Sequence, residues 1–191
     1  MTQKRIHIEY LFLDLNTCSP CQATEAALDN AVSEITPVLE ECGYEIILNK
    51  TQVMSVNHAQ ALQFASSPTI RINGQDIQPV ISEKLCPSCS EIGGNSAIDC
   101  RVWLYNGEEH WSPPKALLMD VILRAAYSGT IQSINTPSFT HVPDNIKLFL
   151  PEKIQPAVVV PAVVHPAQQV AARQTNVVLK KTVNITGNGR T

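Results

Sequence analysis

The sequence contains no run of 18 apolar residues, so we expect no membrane-spanning helix. The amino terminus also lacks the small-residue cleavage site that follows a secretory signal, and we therefore expect a cytoplasmic protein. A glycine-rich phosphate loop and a catalytic pair of carboxylates are both absent. These absences argue against a membrane protein, a secreted protein and the enzymes that depend on such loops or pairs.

Basic residues are scarce over most of the chain. Residues 1–150 contain 9 Lys and Arg against 16 Asp and Glu, a net charge of −7, whereas residues 151–191 contain 5 against 1, a net charge of +4. Proteins bind nucleic acid chiefly by neutralising its phosphates with Lys and Arg. The acidic body therefore argues against nucleic acid as a partner.

The length and composition predict one domain with an appendage. A chain of 191 residues that is 44% hydrophobic can bury a substantial core. We expect a domain over residues 1–129, with an insert at 75–99 that has no clear period. In the tail at 130–191, prolines recur every five residues between 151 and 166, which interrupts helices and sheets and predicts an extended or disordered segment. Because the tail is rich in valine, the alternative is a docking segment for a protein partner.

The hydrophobic pattern predicts an α/β fold with a central mixed sheet flanked by helices. Residues 6–15 are typical of a buried strand, and the apolar positions that follow repeat at helical spacing from Leu28 to Cys42. We expect Pro37 to kink or split this helix and Cys42 to be buried on its apolar stripe. Further patterns predict strands at 44–50 and 68–74 and a hairpin at 100–111. They also predict helices at 56–65 and 113–128.

Six cysteines are the main chemical signal, at positions 18, 21, 42, 86, 89 and 100. In a reducing compartment such spacings indicate catalytic or metal-binding thiols more often than structural disulfides. The first pair, Cys18-Ser-Pro-Cys21, lies where a strand gives way to a helix. The positive end of the helix dipole would lower the pKa of Cys18. We therefore expect Cys18 to be an exposed nucleophile and Cys21 the buried resolving thiol of a redox pair.

The second pair, Cys86 and Cys89, is followed by Cys100 and allows three interpretations. With a fourth ligand such as His110, the three thiols would form a tetrahedral zinc site. They could instead exchange disulfides with the first pair, or simply close a loop. Thiolates also bind soft metals such as arsenic, mercury or copper(I), and nothing in the residues selects among these ions.

The segments "IEYLFLDLNTCSPC", "SSPTIRING" and "CRVWLYNGEEHWSPPKALLMDVIL" together resemble the thioredoxin-like superfamily, and in particular an uncharacterised bacterial and archaeal family known as a domain of unknown function. The resemblance covers residues 6 to about 128. It implies a thioredoxin-like fold in which Pro68 is cis and Ser67 offers its backbone to a substrate.

The resemblance also implies thiol-disulfide exchange on protein or small-molecule disulfides, with no cofactor required. Two alternatives remain open. The chain could be a zinc or soft-metal carrier or sensor that uses Cys86, Cys89 and Cys100, or a non-catalytic interaction module.

Overall fold

The computed structural model describes residues 4–86, 88–89, 98–128 and 139–150, together with the backbone of 175–176. The helices are α1 (Ser19–Glu41), α2 (Val56–Ala61), α3 (Lys115–Tyr127) and α4 (Asp144–Phe149). The strands are β1 (Lys4–Phe12), β2 (Tyr44–Gln52), β3 (Thr69–Ile72), β4 (Gln75–Asp76), β5 (Ser82–Leu85), β6 (Asp99–Tyr105), β7 (Glu108–His110) and β8 (Thr175–Asn176). The protein is thus an α/β protein with a mixed sheet, as the sequence pattern predicts.

The main sheet has the strand order β4-β3-β1-β2-β8, with β1 parallel to β2 and antiparallel to β3. A smaller sheet has the order β5-β6-β7. Both predicted Asn-Gly turns are present. Asn73 and Gly74 join β3 to β4, and Asn106 and Gly107 join β6 to β7, with positive φ at all four residues, as this type of hairpin turn requires.

Strand β1 contributes to two hydrophobic clusters because successive side chains of a strand point to opposite faces. Ile8, Tyr10 and Phe12 lie in the larger cluster with α1, α3 and the thiols of the second cysteine pair. Leu11 and Leu13 lie in the smaller cluster with α2 and α4. The end of β1 therefore joins both parts of the core, directly before Cys18.

Helix α1 continues through Pro37 to Glu41, so the predicted split of the helix is wrong. Proline removes only one backbone donor, and Ile35 and Leu39 on either side of it are both buried. Packing of this face holds the last turn in place. The predicted end of the helix is correct, since Gly43 adopts a φ of +82° directly after it.

Two segments differ from the expected domain plan. The insert at 75–99 contains strands β4 and β5. Residues 139–150, which fall within the predicted tail, form helix α4 and place Val142, Ile146 and Leu150 in the smaller cluster. Burial of these apolar side chains offsets the cost of ordering the segment. The proline- and valine-rich residues 151–174 lie outside the described residues, as do 87, 90–97, 129–138 and 177–191.

The described helices agree with the expected absence of a membrane-spanning helix. In the part of the chain that the structure describes, no helix is both long enough and apolar enough to cross a bilayer.

Candidate metal centre

Four cysteines from three parts of the chain converge at the start of α1. Cys18 is the residue that caps this helix, Cys86 directly follows β5, Cys89 lies in the turn after it, and Cys100 lies in β6. Their four Sγ atoms all lie within 4.8 Å of one another, and they form the group of side chains in the described residues that could hold a metal ion.

Two of the six distances between the four sulfur atoms match those around a single tetrahedral ion. A zinc–thiolate bond is about 2.3 Å long, so two thiolates on one tetrahedral zinc lie about 3.8 Å apart. The Sγ of Cys100 lies 3.9 Å from that of Cys18 and 3.8 Å from that of Cys89. A multi-iron cluster would stand between the thiols and hold them farther apart, so the arrangement fits one ion.

The thiol cluster is almost completely shielded from solvent. Each of its four cysteines is no more than 2% exposed, and all four belong to the larger hydrophobic cluster. No disulfide is formed within the described residues. Thiolates in such an environment need a compensating positive charge, because burying unpaired charges is costly.

The backbone and two serines orient the cluster. The backbone N–H of Cys21 donates to the Sγ of Cys18 at 3.3 Å, which is the capping contact of α1. The hydroxyl of Ser88 lies 3.4 Å from the Sγ of Cys86 and accepts a hydrogen bond from the backbone N–H of Ser19 at 3.2 Å. Ser88 thereby links the second cysteine pair to the first turn of α1. Such outer contacts fix the orientation of ligands in metal sites.

The pKa values of the four thiols are shifted in different directions. Hydrogen bonds from Cys100, Cys18 and Cys89 lower the pKa of Cys86, so this thiol is the one that ionises first. Hydrogen bonds with Cys18, Cys86 and Cys89, together with burial, raise the pKa of Cys100.

Cys89 and Cys18 also hold their protons. A hydrogen bond with Cys100 lowers the pKa of each, but other thiol contacts and burial outweigh it, so both pKa values are raised. Contacts with the other thiols and burial therefore disfavour ionisation of Cys18, Cys89 and Cys100 in the absence of a metal ion.

Cys21 lies beside the cluster and is not one of the four. Its side chain is fully buried, its Sγ lies 3.5 Å from the hydroxyl of Ser67, and its carbonyl accepts a hydrogen bond from Tyr10 at 2.7 Å. The Ser67–Pro68 peptide bond is cis, as the resemblance implies. The first pair and Ser67 therefore come together at the end of β1, as the sequence predicts.

One expectation about this region is wrong. Cys18 is buried instead of exposed, because the residues that carry the second pair and Cys100 lie against it. The backbone carbonyl of Ser67 accepts a hydrogen bond of 2.8 Å from the N–H of Arg101, so strand β6 lies directly beside the residue that was expected to offer its backbone to a substrate.

His110 and Cys42 also differ from expectation. His110 lies opposite Trp103 in the β6–β7 hairpin and is not part of the thiol cluster, in which Cys18 takes the fourth position. Cys42 is exposed because it is the capping residue beyond the last turn of α1, where the apolar stripe no longer faces the core. Tyr127 contacts its Sγ through a hydroxyl at 3.4 Å.

Arg101, the residue that follows Cys100 in β6, forms a buried ion pair with Asp76. Arg101 is fully buried, and its guanidinium donates two hydrogen bonds of 2.9 Å to the two carboxylate oxygens of Asp76. The guanidinium also lies 5.2 Å from the centre of the Trp103 ring. These contacts fix the strand segment that carries Cys100. Sequence inspection missed them because a lone Arg and Asp 25 positions apart form no recognisable pattern.

Sequence comparisons place the thiol cluster within a known family. The family model described as "Domain of unknown function (DUF2703)" matches residues 6–122, a span that includes all four clustered cysteines and ends before α4. Neither a curated protein nor a solved structure matches the chain. Because the match covers more than half of the chain, the protein belongs to the DUF2703 family.

Proposed function

We propose that the protein binds one zinc ion through Cys18, Cys86, Cys89 and Cys100. The observation that carries the proposal is the approach of four buried thiols to within 4.8 Å of one another. Four thiolates are a common ligand set for zinc in proteins, and their spacing here fits a tetrahedral ion.

A set of four protein ligands favours a site that binds a metal ion without using it in catalysis. A catalytic zinc keeps one coordination position open for water or substrate, whereas four protein ligands complete a tetrahedron. Cys18 is the ligand from α1, and the other three lie between residues 86 and 100. A bound ion would therefore cross-link the start of α1 to the segment around β5 and β6. A structural, carrier or sensor role follows from this closed ligand set.

Soft metals compete with zinc for such a site. Copper(I), mercury and arsenic also prefer thiolates, but their usual coordination numbers are lower than four. A complete set of four thiols at tetrahedral spacing favours zinc among these ions.

The metal content of the purified protein tests the proposal. Protein prepared under reducing conditions should bind one zinc ion per chain in native mass spectrometry. Cys100→Ser should lower the occupancy, while Cys42→Ser, which changes an exposed cysteine outside the cluster, should not. Zinc-free wild-type protein that remains empty when zinc is added at neutral pH would refute the metal site.

A thioredoxin-like fold with thiol-disulfide exchange at Cys18 and Cys21 is the second proposal. The position of Cys18 at the capping residue of α1, with the Cys21 N–H on its sulfur, supports it. Cys100 lies 3.9 Å from Cys18 and 3.8 Å from Cys89, which would allow a disulfide to pass from the first pair to the second.

An insulin reduction assay separates the two functions. Wild-type protein should reduce insulin disulfides, and Cys18→Ser should not, while Cys42→Ser serves as the control. Equal activity in wild type and Cys18→Ser would exclude exchange at the first pair, and it would leave the zinc measurement unaffected.

A further inference from the structure

Cys18 can bind a metal ion with three other cysteines or form a disulfide with Cys21, but it cannot do both at once. It is one of the four clustered thiols, and it also shares the Cys-x-x-Cys turn with Cys21. A sulfur that forms a disulfide no longer has the thiolate charge with which it binds a metal. The chemistry of Cys21 therefore bears directly on the metal site.

We infer that oxidation controls metal binding, with Cys21 as the resolving thiol that withdraws Cys18 from the cluster. The inference rests on the proposed zinc site and adds its regulation. Cys21 is held next to Cys18 by the N–H contact of 3.3 Å, yet it is outside the set of four. It is thus an adjacent thiol that an ion in the cluster leaves unligated.

The surroundings of Cys18 and Cys21 fit this role. Cys18 is 2% exposed and lies at the start of α1, directly before the exposed residue Ser19. Cys21 is fully buried, with Ser67 3.5 Å from its sulfur. Cys18 is thus the member of the pair that belongs to the thiol cluster, and Cys21 is the neighbouring thiol that can resolve its oxidised form.

The reaction balances with a hydroperoxide as the oxidant. Cys18, which would be a thiolate while it binds a metal ion, attacks hydrogen peroxide, the oxygen–oxygen bond breaks, and a sulfenic acid and hydroxide form. The sulfur of Cys21 then attacks the sulfenic sulfur, and the hydroxyl group leaves with the proton of Cys21 as water. Two electrons pass from the two cysteines to one peroxide molecule. The products are the Cys18–Cys21 disulfide, one water and one hydroxide.

Formation of this disulfide would open the site. Three of the four thiols remain, all between residues 86 and 100, so the cross-link to α1 is lost. A three-thiolate site also has an open position, from which a chelator can remove the ion. Reduction of the disulfide would restore the fourth ligand.

The test measures zinc release from the full zinc-loaded chain. Hydrogen peroxide is added in the presence of a chromophoric zinc chelator, and the products are mapped by peptide mass spectrometry without reduction. Wild type and Cys42→Ser should release their zinc together with formation of the Cys18–Cys21 disulfide. After removal of peroxide and chelator, a dithiol reductant should restore zinc binding.

Cys21→Ser and Cys21→Ala are the deciding variants. Both should bind one zinc per chain, which shows that they fold and that the site is intact. Both should lose the rapid release that reductant reverses, because a sulfenic acid on Cys18 then has no unligated thiol at the adjacent position.

Several results would overturn the inference. Equal rates and equal reversibility in wild type and both variants would do so, as would a disulfide between Cys86 and Cys89 as the first product. These results leave zinc binding intact, so the proposed function survives them. If wild type binds no zinc at all, both the proposed function and this inference fail.

Discussion

The thiols of Cys18 and Cys100 lie 3.9 Å apart although 82 positions separate them in the sequence. One belongs to the start of α1 and the other to β6, so an ion bound by both closes a long loop of the chain. A metal ion that binds only the folded state, in which these two thiols meet, stabilises that state by mass action.

Zinc should therefore raise the free energy of unfolding. At a free concentration one hundred times its dissociation constant, a ligand of the folded state adds about 2.7 kcal/mol. Urea unfolding with zinc and with a chelator should show such a difference in wild type and a smaller one in Cys18→Ser. An equal gain in both proteins would mean that the ion does not use Cys18.

Ser88 should tune the affinity without being a ligand. Its hydroxyl joins the Sγ of Cys86 to the backbone of Ser19, and the loss of such outer contacts typically weakens metal binding by about 10- to 100-fold. Chelator competition should show this loss for Ser88→Ala. Ser82→Ala, on strand β5 but outside the cluster, is the matched control and should bind as wild type does. Equal affinity in Ser88→Ala and wild type would contradict the assigned contact.

Zinc affinity should fall as the pH falls. The pKa of Cys86 is lowered, whereas those of Cys18, Cys89 and Cys100 are raised, so the metal-free cluster holds up to three protons that zinc must displace. Each displaced proton changes the apparent affinity about tenfold per pH unit while the thiol remains protonated in the metal-free state.

We therefore expect a loss of up to about three decades per pH unit as the solution is acidified. Chelator competition at several pH values, corrected for protonation of the chelator, measures the slope. An affinity that is constant over the range would show that the four thiols do not lose protons on binding.

Much of the site was predictable from the sequence, but which four cysteines form the cluster was not. The spacing of each Cys-x-x-Cys pair singles out these thiols, and the strand-to-helix junction places Cys18 at the start of α1, where the structure has it. That Cys18 joins Cys86, Cys89 and Cys100 depends on how β6 passes beside Ser67, through a backbone hydrogen bond between residues far apart in the chain. Local spacing carries no information about such a contact.

Two of the differences between the expected and the observed structure, at Cys42 and at α4, also have physical causes. Cys42 continues the apolar stripe of α1 in sequence, but it lies beyond the last helical turn, where the stripe ends. Helix α4 is only six residues long and follows a proline, so flanking prolines conceal its apolar residues. Burial of Ile146 against the smaller cluster, a tertiary effect, is what identifies it as part of the folded domain.

Helix α4 should contribute substantially to stability. Ile146 is fully buried, and truncation of such a side chain to alanine typically costs about 2–5 kcal/mol. Leu148 on the same helix is 59% exposed, so Leu148→Ala is a matched control that should change stability little. Urea unfolding of both variants distinguishes a packed helix from an appended one. Equal stability of Ile146→Ala and Leu148→Ala would show that α4 does not pack against the core.

The pair of Asp76 and Arg101 should behave as a buried ion pair. Arg101 is fully buried, and removal of the carboxylate charge by Asp76→Asn would leave the guanidinium without a counter-charge at a cost on the order of 3 kcal/mol. Asparagine keeps an oxygen that can accept the backbone N–H of Gln78, a bond that Asp76 makes at 2.8 Å. The loss of stability therefore measures the removal of the charge and not the loss of the hydrogen bond from Gln78.

A second substitution separates charge from packing. Arg101→Met added to Asp76→Asn removes the stranded charge while keeping an apolar side chain near Trp103, so the double variant should recover much of the lost stability. Asp120→Ala, which breaks an exposed pair with Arg124, should cost about 0.5 kcal/mol or less. A double variant less stable than Asp76→Asn would mean that Arg101 acts through its hydrogen bonds and packing. In that case Arg101, which follows Cys100 directly, would support the thiol cluster through the position of β6.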